Sequence, residues 1–138
     1  MSEQNKALTQ RWFDEVWNKG NAEAIAELVT DDVVVHGLRD AVGSAITNIS
    51  EFRAYHSQLR GAFPDIIVTV DDMVAEGDKV AARCTVRGSH QGELLGIAAT
   101  NAGVDFDGMA IVRISEGKIV EAWNTFDFLK MSQQLGMI

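Results

Sequence analysis

The chain has 138 residues, 46% of them hydrophobic, and twelve basic against twenty acidic residues give a net charge of −8. This length suits one domain, residues 1–138, that removes about two-thirds of the unfolded chain's surface from water. The acidic balance and the lack of a Lys/Arg cluster argue against nucleic acid and anionic membrane partners. Since no apolar run approaches the roughly 20 residues that span a bilayer, we expect a cytoplasmic protein.

The first third of the chain has the pattern of two helices followed by a strand. Leu8, Trp12 and Val16 recur at helical spacing, which predicts an amphipathic helix over residues 4–18. A second, short helix follows. Three consecutive valines then favour a strand that ends at His36, because β-branched residues suit a pleated sheet.

A third helix is predicted after an aperiodic loop over residues 38–47. Asn48 followed three residues later by Glu51 resembles a capping box, and apolar residues then recur at spacings of three and four. Tyr55 borders this apolar stripe. Pro64 ends the helix, since proline cannot continue the hydrogen-bonding pattern.

From Asp65 onward the hydrophobic period changes to two, which predicts strands joined mostly by tight turns. His90 points in the same direction as the apolar residues of its strand, as Phe106 does in the next one. In the last strand, residues 119–127, both faces mix apolar and polar groups. Alternation there does not decide which face enters the core, and a bulge would reverse the answer.

Two further features complete the pattern. Cys84, the single cysteine, excludes an internal disulfide and is expected to be a small core residue. Residues 91–103 are apolar without a clear period, which favours a pocket lid or a subunit contact. The order of elements predicts an α+β fold, in which a curled antiparallel sheet wraps around helices.

Distinct motifs are spread over nearly the whole chain. They are Trp17–Asn21, Phe63–Asp65, Gly88–Ile97, and Gly117–Trp123 followed by Asp127 and Gln134–Gly136. In this combination the chain resembles the polyketide-cyclase proteins typified by SnoaL, within the nuclear transport factor 2-like superfamily. The resemblance implies a cone-shaped α+β barrel around a deep apolar pocket, usually in a homodimer. Ala122 and Ala110 depart from the family, which often has histidine and a polar residue at these positions.

The resemblance also implies catalytic residues. The acid/base carboxylate of the cyclases is the aspartate that follows the Glu-x-Trp strand, which is Asp127 here, and His36 and His90 match positions where the family often has a histidine near the cavity. The implied reaction is an intramolecular aldol closure. A carboxylate takes a proton from a methylene activated by carbonyls and then protonates the alkoxide, and neither metal nor organic cofactor is needed.

Aromatic residues are expected to bind an apolar small-molecule substrate and to surround the carboxylate. They are Trp123, Phe106, Tyr55, Trp17 and Phe126. Each also suits an ordinary core, since aromatic residues at regular spacing are first of all packing residues.

Simpler interpretations stay open. Asp127 is a good N-cap for the last helix, and His90 suits a hydrogen-bonded core histidine. If both residues have only these structural roles, the domain is a non-catalytic binding or dimerisation module. A related enzyme hypothesis is an isomerase or an epoxide hydrolase that uses the same pocket. Mixed outer strand faces favour a homodimer, and they carry Arg83, Thr85, Arg87, Met109, Ile111 and Arg113.

Overall fold

The computed structural model describes residues 2–40 and 43–138 and combines helices with one sheet. The helices are α1 (Ser2–Arg11), α2 (Glu23–Leu28), α3 (Ile49–Ala62) and α4 (Phe128–Gln134). The strands are β1 (Val29–His36), β2 (Ile67–Glu76), β3 (Lys79–Ser89), β4 (Gly103–Ser115) and β5 (Lys118–Phe126). The predicted loop over residues 38–47 includes Ala41 and Val42, which lie outside the described residues. None of the described helices has the length and apolar character to cross a membrane.

The five strands form one mixed sheet in the order β1-β5-β4-β3-β2. β1 runs parallel to β5, and the other neighbours are antiparallel hairpin partners. β1 and β2 are the edges of this order, so the sheet wraps around the helices without closing. The predicted α+β class is therefore confirmed, with an open curved sheet in place of a closed barrel.

The buried faces of β3 and β4 follow the alternation of the sequence. Val80, Ala82, Cys84 and Val86 are at most 4% exposed, while the side chains between them are more accessible. In β4, Phe106 and its alternate neighbours are buried in the same way. Period-two patterning works here because one face of each strand packs on the helices and the other does not.

The first helix differs from the α-helix expected over residues 4–18. After Arg11 it continues as a π-helical segment, Trp12–Asn18, in which each N–H reaches back five residues, as in the bond from Lys19 N to Asp14 O at 3.0 Å. This spacing brings Trp12 and Trp17 to the same side. The sequence could not reveal this, because Leu8, Trp12 and Val16 also satisfy the ordinary helical period.

Side chains of α3 hold the end of the π segment in place. His56 Nε2 donates to the carbonyl oxygen of Val16 at 2.6 Å, and an Arg60 N–H donates to that of Trp17 at 3.2 Å. The last carbonyls of a helix have no partners within it, so these bonds satisfy them. Burial lowers the pKa of His56, which keeps the ring neutral in this position.

A bulge between β4 and β5 decides which side chains of β5, the last strand, face the core. Its register with β4 shifts between Arg113 and Ile114, so that Ile119 pairs with Ile114 but Glu121 pairs with Arg113. This bulge reverses the alternation along β5. As a result Ala122, Asn124 and Phe126 follow Ile119 onto the inner face.

Two predicted boundaries also need comment. β1 begins at Val29, four residues before the predicted strand, because Val29 already pairs with Ile119 in β5. The cap of α3 is confirmed, since Asn48 Oδ1 accepts from Glu51 N at 2.9 Å. The Glu51 carboxylate, however, accepts from Thr47 N at 2.9 Å, one residue before the cap, so the capping box is shifted by one residue.

Candidate functional site

A narrow apolar cavity of about 90 Å³ lies between the helices and the inner face of the sheet. Side chains from the π segment, α3, α4 and all five strands line it. Drug-sized ligands usually occupy pockets of about 300 Å³ or more. The cavity therefore holds a small group as it stands and must widen to admit a larger ligand.

One wall of the cavity is an aromatic cluster contributed by the π segment and α3. The rings of Trp12 and Phe52 have centroids 5.3 Å apart, and Trp17 meets Phe52 edge-on at 6.0 Å. Trp17 also meets Tyr55 edge-on at 6.3 Å. Such contacts favour a well-defined wall, and the π geometry is what turns both tryptophans toward it.

Few polar side chains line this cavity: the phenol of Tyr55, the amide of Asn124 and the indole N–H groups of the two tryptophans. Burial raises the pKa of Tyr55, so its hydroxyl stays protonated and can donate a hydrogen bond. Asn124 Nδ2 donates to the backbone oxygen of His36 at 3.0 Å. Within the described ranges, no carboxylate or imidazole lines this cavity.

Asp127 lies between β5 and α4. Phe126 and Phe128 on either side of it line the cavity, whereas Asp127 itself is exposed. Its carboxylate accepts a hydrogen bond from Lys130 N at 3.0 Å and thus caps α4. The structure therefore contains the helix cap that the sequence suggests, and the catalytic role of Asp127 stays a prediction.

His36 and Trp123 lie on the outer face of the sheet, away from the cavity. Their rings stack with centroids 5.4 Å apart, and His36 Nε2 is 2.8 Å from a carboxylate oxygen of Glu121. That hydrogen bond, followed by those from Arg113, lowers the pKa of Glu121. The bulge in β5 explains this placement, because it turns Glu121 and Trp123 outward.

His90 is fully buried at the base of the loop that follows β3. The N–H of Thr100 donates to His90 Nδ1 at 3.3 Å, and the hydroxyl of Thr100 lies 3.0 Å from the same nitrogen. Backbone bonds from His90 N to Ala102 O and from Asn101 N to His90 O close the same loop. His90 thus anchors the loop, and it is not among the residues that line the cavity.

The loop between β3 and β4 exposes two apolar side chains. Leu95 is 42% and Ile97 is 40% exposed, and a short bridge joins Leu94 to Ile97. Neither exposed side chain lines the cavity. A role for this loop as a lid or a subunit contact stays a prediction.

The predicted site residues thus fall into two groups. The cavity brings together Tyr55, Trp17, Phe106 and Phe126. The other predicted residues do not line it: Asp127, Trp123, His36 and His90. Sequence reasoning missed Asn124, because its inward orientation depends on a bulge that only the paired strands reveal.

Comparisons with solved structures agree on the fold. AclR, a candidate hydroxylase from Streptomyces galilaeus, is 26% identical, with a TM-score of 0.88 over 100% of this chain and 84% of AclR. IdmH, a candidate polyketide cyclase from Streptomyces antibioticus, is 29% identical, with a TM-score of 0.82 over 96% of this chain and 99% of IdmH. A candidate SnoaL-like polyketide cyclase from Jannaschia sp. CCS1, 23% identical, shares the fold with a TM-score of 0.84 over 99% of this chain and 94% of its own.

Sequence comparison identifies the family directly. No curated protein matches the chain. The family model described as SnoaL-like polyketide cyclase, in contrast, matches residues 7–135, which is nearly the whole chain. The family resemblance expected from the motifs is confirmed, and the protein belongs to the SnoaL-like polyketide cyclase family.

Proposed function

We propose that the protein is an enzyme of the polyketide-cyclase type, which acts without a cofactor on a neutral, apolar molecule that carries carbonyl groups. The observation that carries this proposal is the apolar cavity with Tyr55 and Asn124 in its lining, and with Asp127 between two phenylalanines that line it. An apolar lining with few polar groups suits a ligand that is mostly hydrocarbon and needs orienting at a few oxygen atoms. Family membership supports the reaction class.

In the proposed reaction Asp127 acts as base and then as acid. Its carboxylate takes a proton from a methylene between two carbonyls, the resulting enolate attacks a second carbonyl of the same molecule, and the new alkoxide recovers the proton. The substrate's own conjugated system spreads the enolate charge. The cavity holds the substrate in a reactive conformation, which can lower the activation free energy by several kcal/mol.

Filling the cavity is the direct test of where the substrate binds. Ala110 lines the cavity on β4, and Ala110→Leu is expected to weaken binding of a planar aromatic ketone at least about tenfold, or about 1.4 kcal/mol. Quenching of the fluorescence of Trp12 and Trp17 measures this affinity, and formation of the ring product from a poly-β-keto ester measures turnover. Ala26→Leu, the same change at an exposed position of α2, is the control. Equal affinity in both variants would contradict binding in this cavity.

A second candidate function is a non-catalytic binding module of the same fold. The exposure of Asp127 and its hydrogen bond to Lys130 N favour it, because both features belong to an ordinary helix cap. Such a module would bind the ketone in the cavity but would leave the poly-β-keto ester unchanged. Product formation in the assay above therefore separates the two functions.

We also propose that two copies associate through the outer face of the sheet. Met109, Ile111 and Val34 are between 40% and 48% exposed there. Ion pairs such as Arg113 with Glu121 and Arg87 with Asp105 surround them, so the face presents both signs of charge to a second copy. An apolar patch with a mixed polar rim is typical of such interfaces.

Light scattering at micromolar concentration is expected to give the mass of a dimer. Ile111→Lys places a charge in the middle of the apolar patch and is expected to give a monomer. The control is Leu129→Lys, which adds the same charge to an apolar residue of α4 that is 62% exposed and is not part of the patch. A monomeric wild-type protein, or a dimer that survives Ile111→Lys, would refute the proposed interface.

A further inference from the structure

The sheet wall of the cavity contains one amide, that of Asn124, which points inward because of the bulge in β5. One N–H of this amide donates to the backbone oxygen of His36 at 3.0 Å. A carbonyl can only accept, so this bond fixes which end of the amide is the nitrogen. Asn124 is therefore held in a defined orientation before any ligand arrives.

Most of the hydrogen-bonding capacity of the amide is unused. A primary amide has two N–H donors and one oxygen acceptor, and within residues 2–40 and 43–138 the bond to His36 is the side-chain bond that Asn124 forms. The second N–H and Oδ1 remain available. Polar groups in an apolar surround gain from a partner, which a ligand oxygen can provide.

The neighbours of Asn124 leave room for a ligand to reach it. Ala110 is its pairing partner in β4, and Ala122 precedes it on the same face of β5. On its other side Gly108 lies beneath the ring of Phe126, where a Cβ atom would overlap the ring. The ring of Phe126 fills the space over Gly108, and the lining elsewhere consists mostly of bulky aromatic and branched residues. The two alanines are therefore what leave space beside the amide.

We propose that Asn124 is a substrate-positioning residue, whose free N–H donates to a carbonyl oxygen of a neutral ligand and whose Oδ1 accepts from a hydroxyl or enol on the same ligand. This inference rests on the proposed function, since it takes the cavity as the binding site. It also predicts a selectivity. Because no cationic side chain among the described residues lines the cavity, we expect it to bind ketones more tightly than carboxylates of the same shape.

Affinities for a matched pair of ligands test the proposal. Indane and 1-indanone have nearly the same shape, but only the ketone can accept from Asn124. Wild-type protein is expected to bind the ketone about five- to tenfold more tightly than the hydrocarbon, the effect of one hydrogen bond. In Asn124→Leu this ratio is expected to fall to about one. Thr125→Leu, at an exposed position of β5, is expected to keep it.

The outcomes distinguish this inference from the proposed function. If both ligands bind but the ratio persists in Asn124→Leu, or is lost in Thr125→Leu, the role of Asn124 is refuted and the cavity stands. If neither ligand binds, both proposals fail. Because Asn124→Leu also removes the bond to His36, the wild-type protein provides a second measurement. The side-chain amide resonance of Asn124 should shift with 1-indanone and not with indane, and an unchanged resonance with the ketone bound would also refute the inference.

Discussion

Asp127→Asn is expected to lower the turnover of a poly-β-keto ester about 10²- to 10⁴-fold, the usual contribution of a general acid or base. The same change should leave the free energy of unfolding almost unaltered. Asparagine caps a helix about as well as aspartate does, so the hydrogen bond from Lys130 N at 3.0 Å can persist. The substitution therefore removes the proton-transfer group and keeps the cap.

Asp127→Ala is the matched comparison, because it removes both roles. It should lose the same turnover and, in addition, about 1 kcal/mol of stability through the missing cap. Turnover and urea denaturation of the two variants give the complete test. An Asp127→Asn protein that keeps full turnover would assign Asp127 to capping alone and would leave the acid/base group unidentified.

Gly37→Ala is expected to destabilise the fold by more than about 3 kcal/mol. Gly37 has a φ of +87°, which costs an L-residue about 1–2 kcal/mol. A Cβ atom here would also overlap the carbonyl oxygen of Asn124. The backbone cannot yield easily, because the end of β1 is paired with β5 through His36 and Trp123.

The control for this prediction is Gly43→Ala. Gly43 has nearly the same backbone conformation, with a φ of +83°, but nothing lies within 4 Å of its added Cβ atom. It should therefore show the conformational cost of about 1–2 kcal/mol without the overlap. Urea denaturation measures both variants, and equal losses would show that the close approach of Gly37 to Asn124 contributes nothing.

Much of the fold follows from local patterns in the sequence. The alternation in β3 and β4 predicts their buried faces because one side of each strand packs on the helices. Asn48 and Pro64 mark the ends of the third helix because their effects are local to the backbone. Motifs spread over the chain then predicted the family, which the match over residues 7–135 confirms.

The candidate site was harder to predict, since it depends on how distant elements pair. The inward orientation of Asn124 follows from a bulge opposite β4, and that of Trp17 follows from a π-helical turn whose sequence also suits an α-helix. Tyr55 and Phe106 were predicted to line a cavity, and they do. Trp123 lies on the outer face of the sheet, because the bulge reverses the alternation of inward and outward side chains along β5. The size of the cavity depends on the packing of many side chains, which no local pattern encodes.

The parallel pairing of β1 with β5 has a consequence for how the chain folds during synthesis. Val35 pairs with Ala122, so this edge of the sheet cannot form until β5 has left the ribosome. At common translation rates the delay between the two strands is about 4–16 s. During that time the valine-rich β1 has no strand partner. Chaperone binding to nascent chains should therefore be strongest before β5 emerges, and a chain truncated ahead of β5 should aggregate.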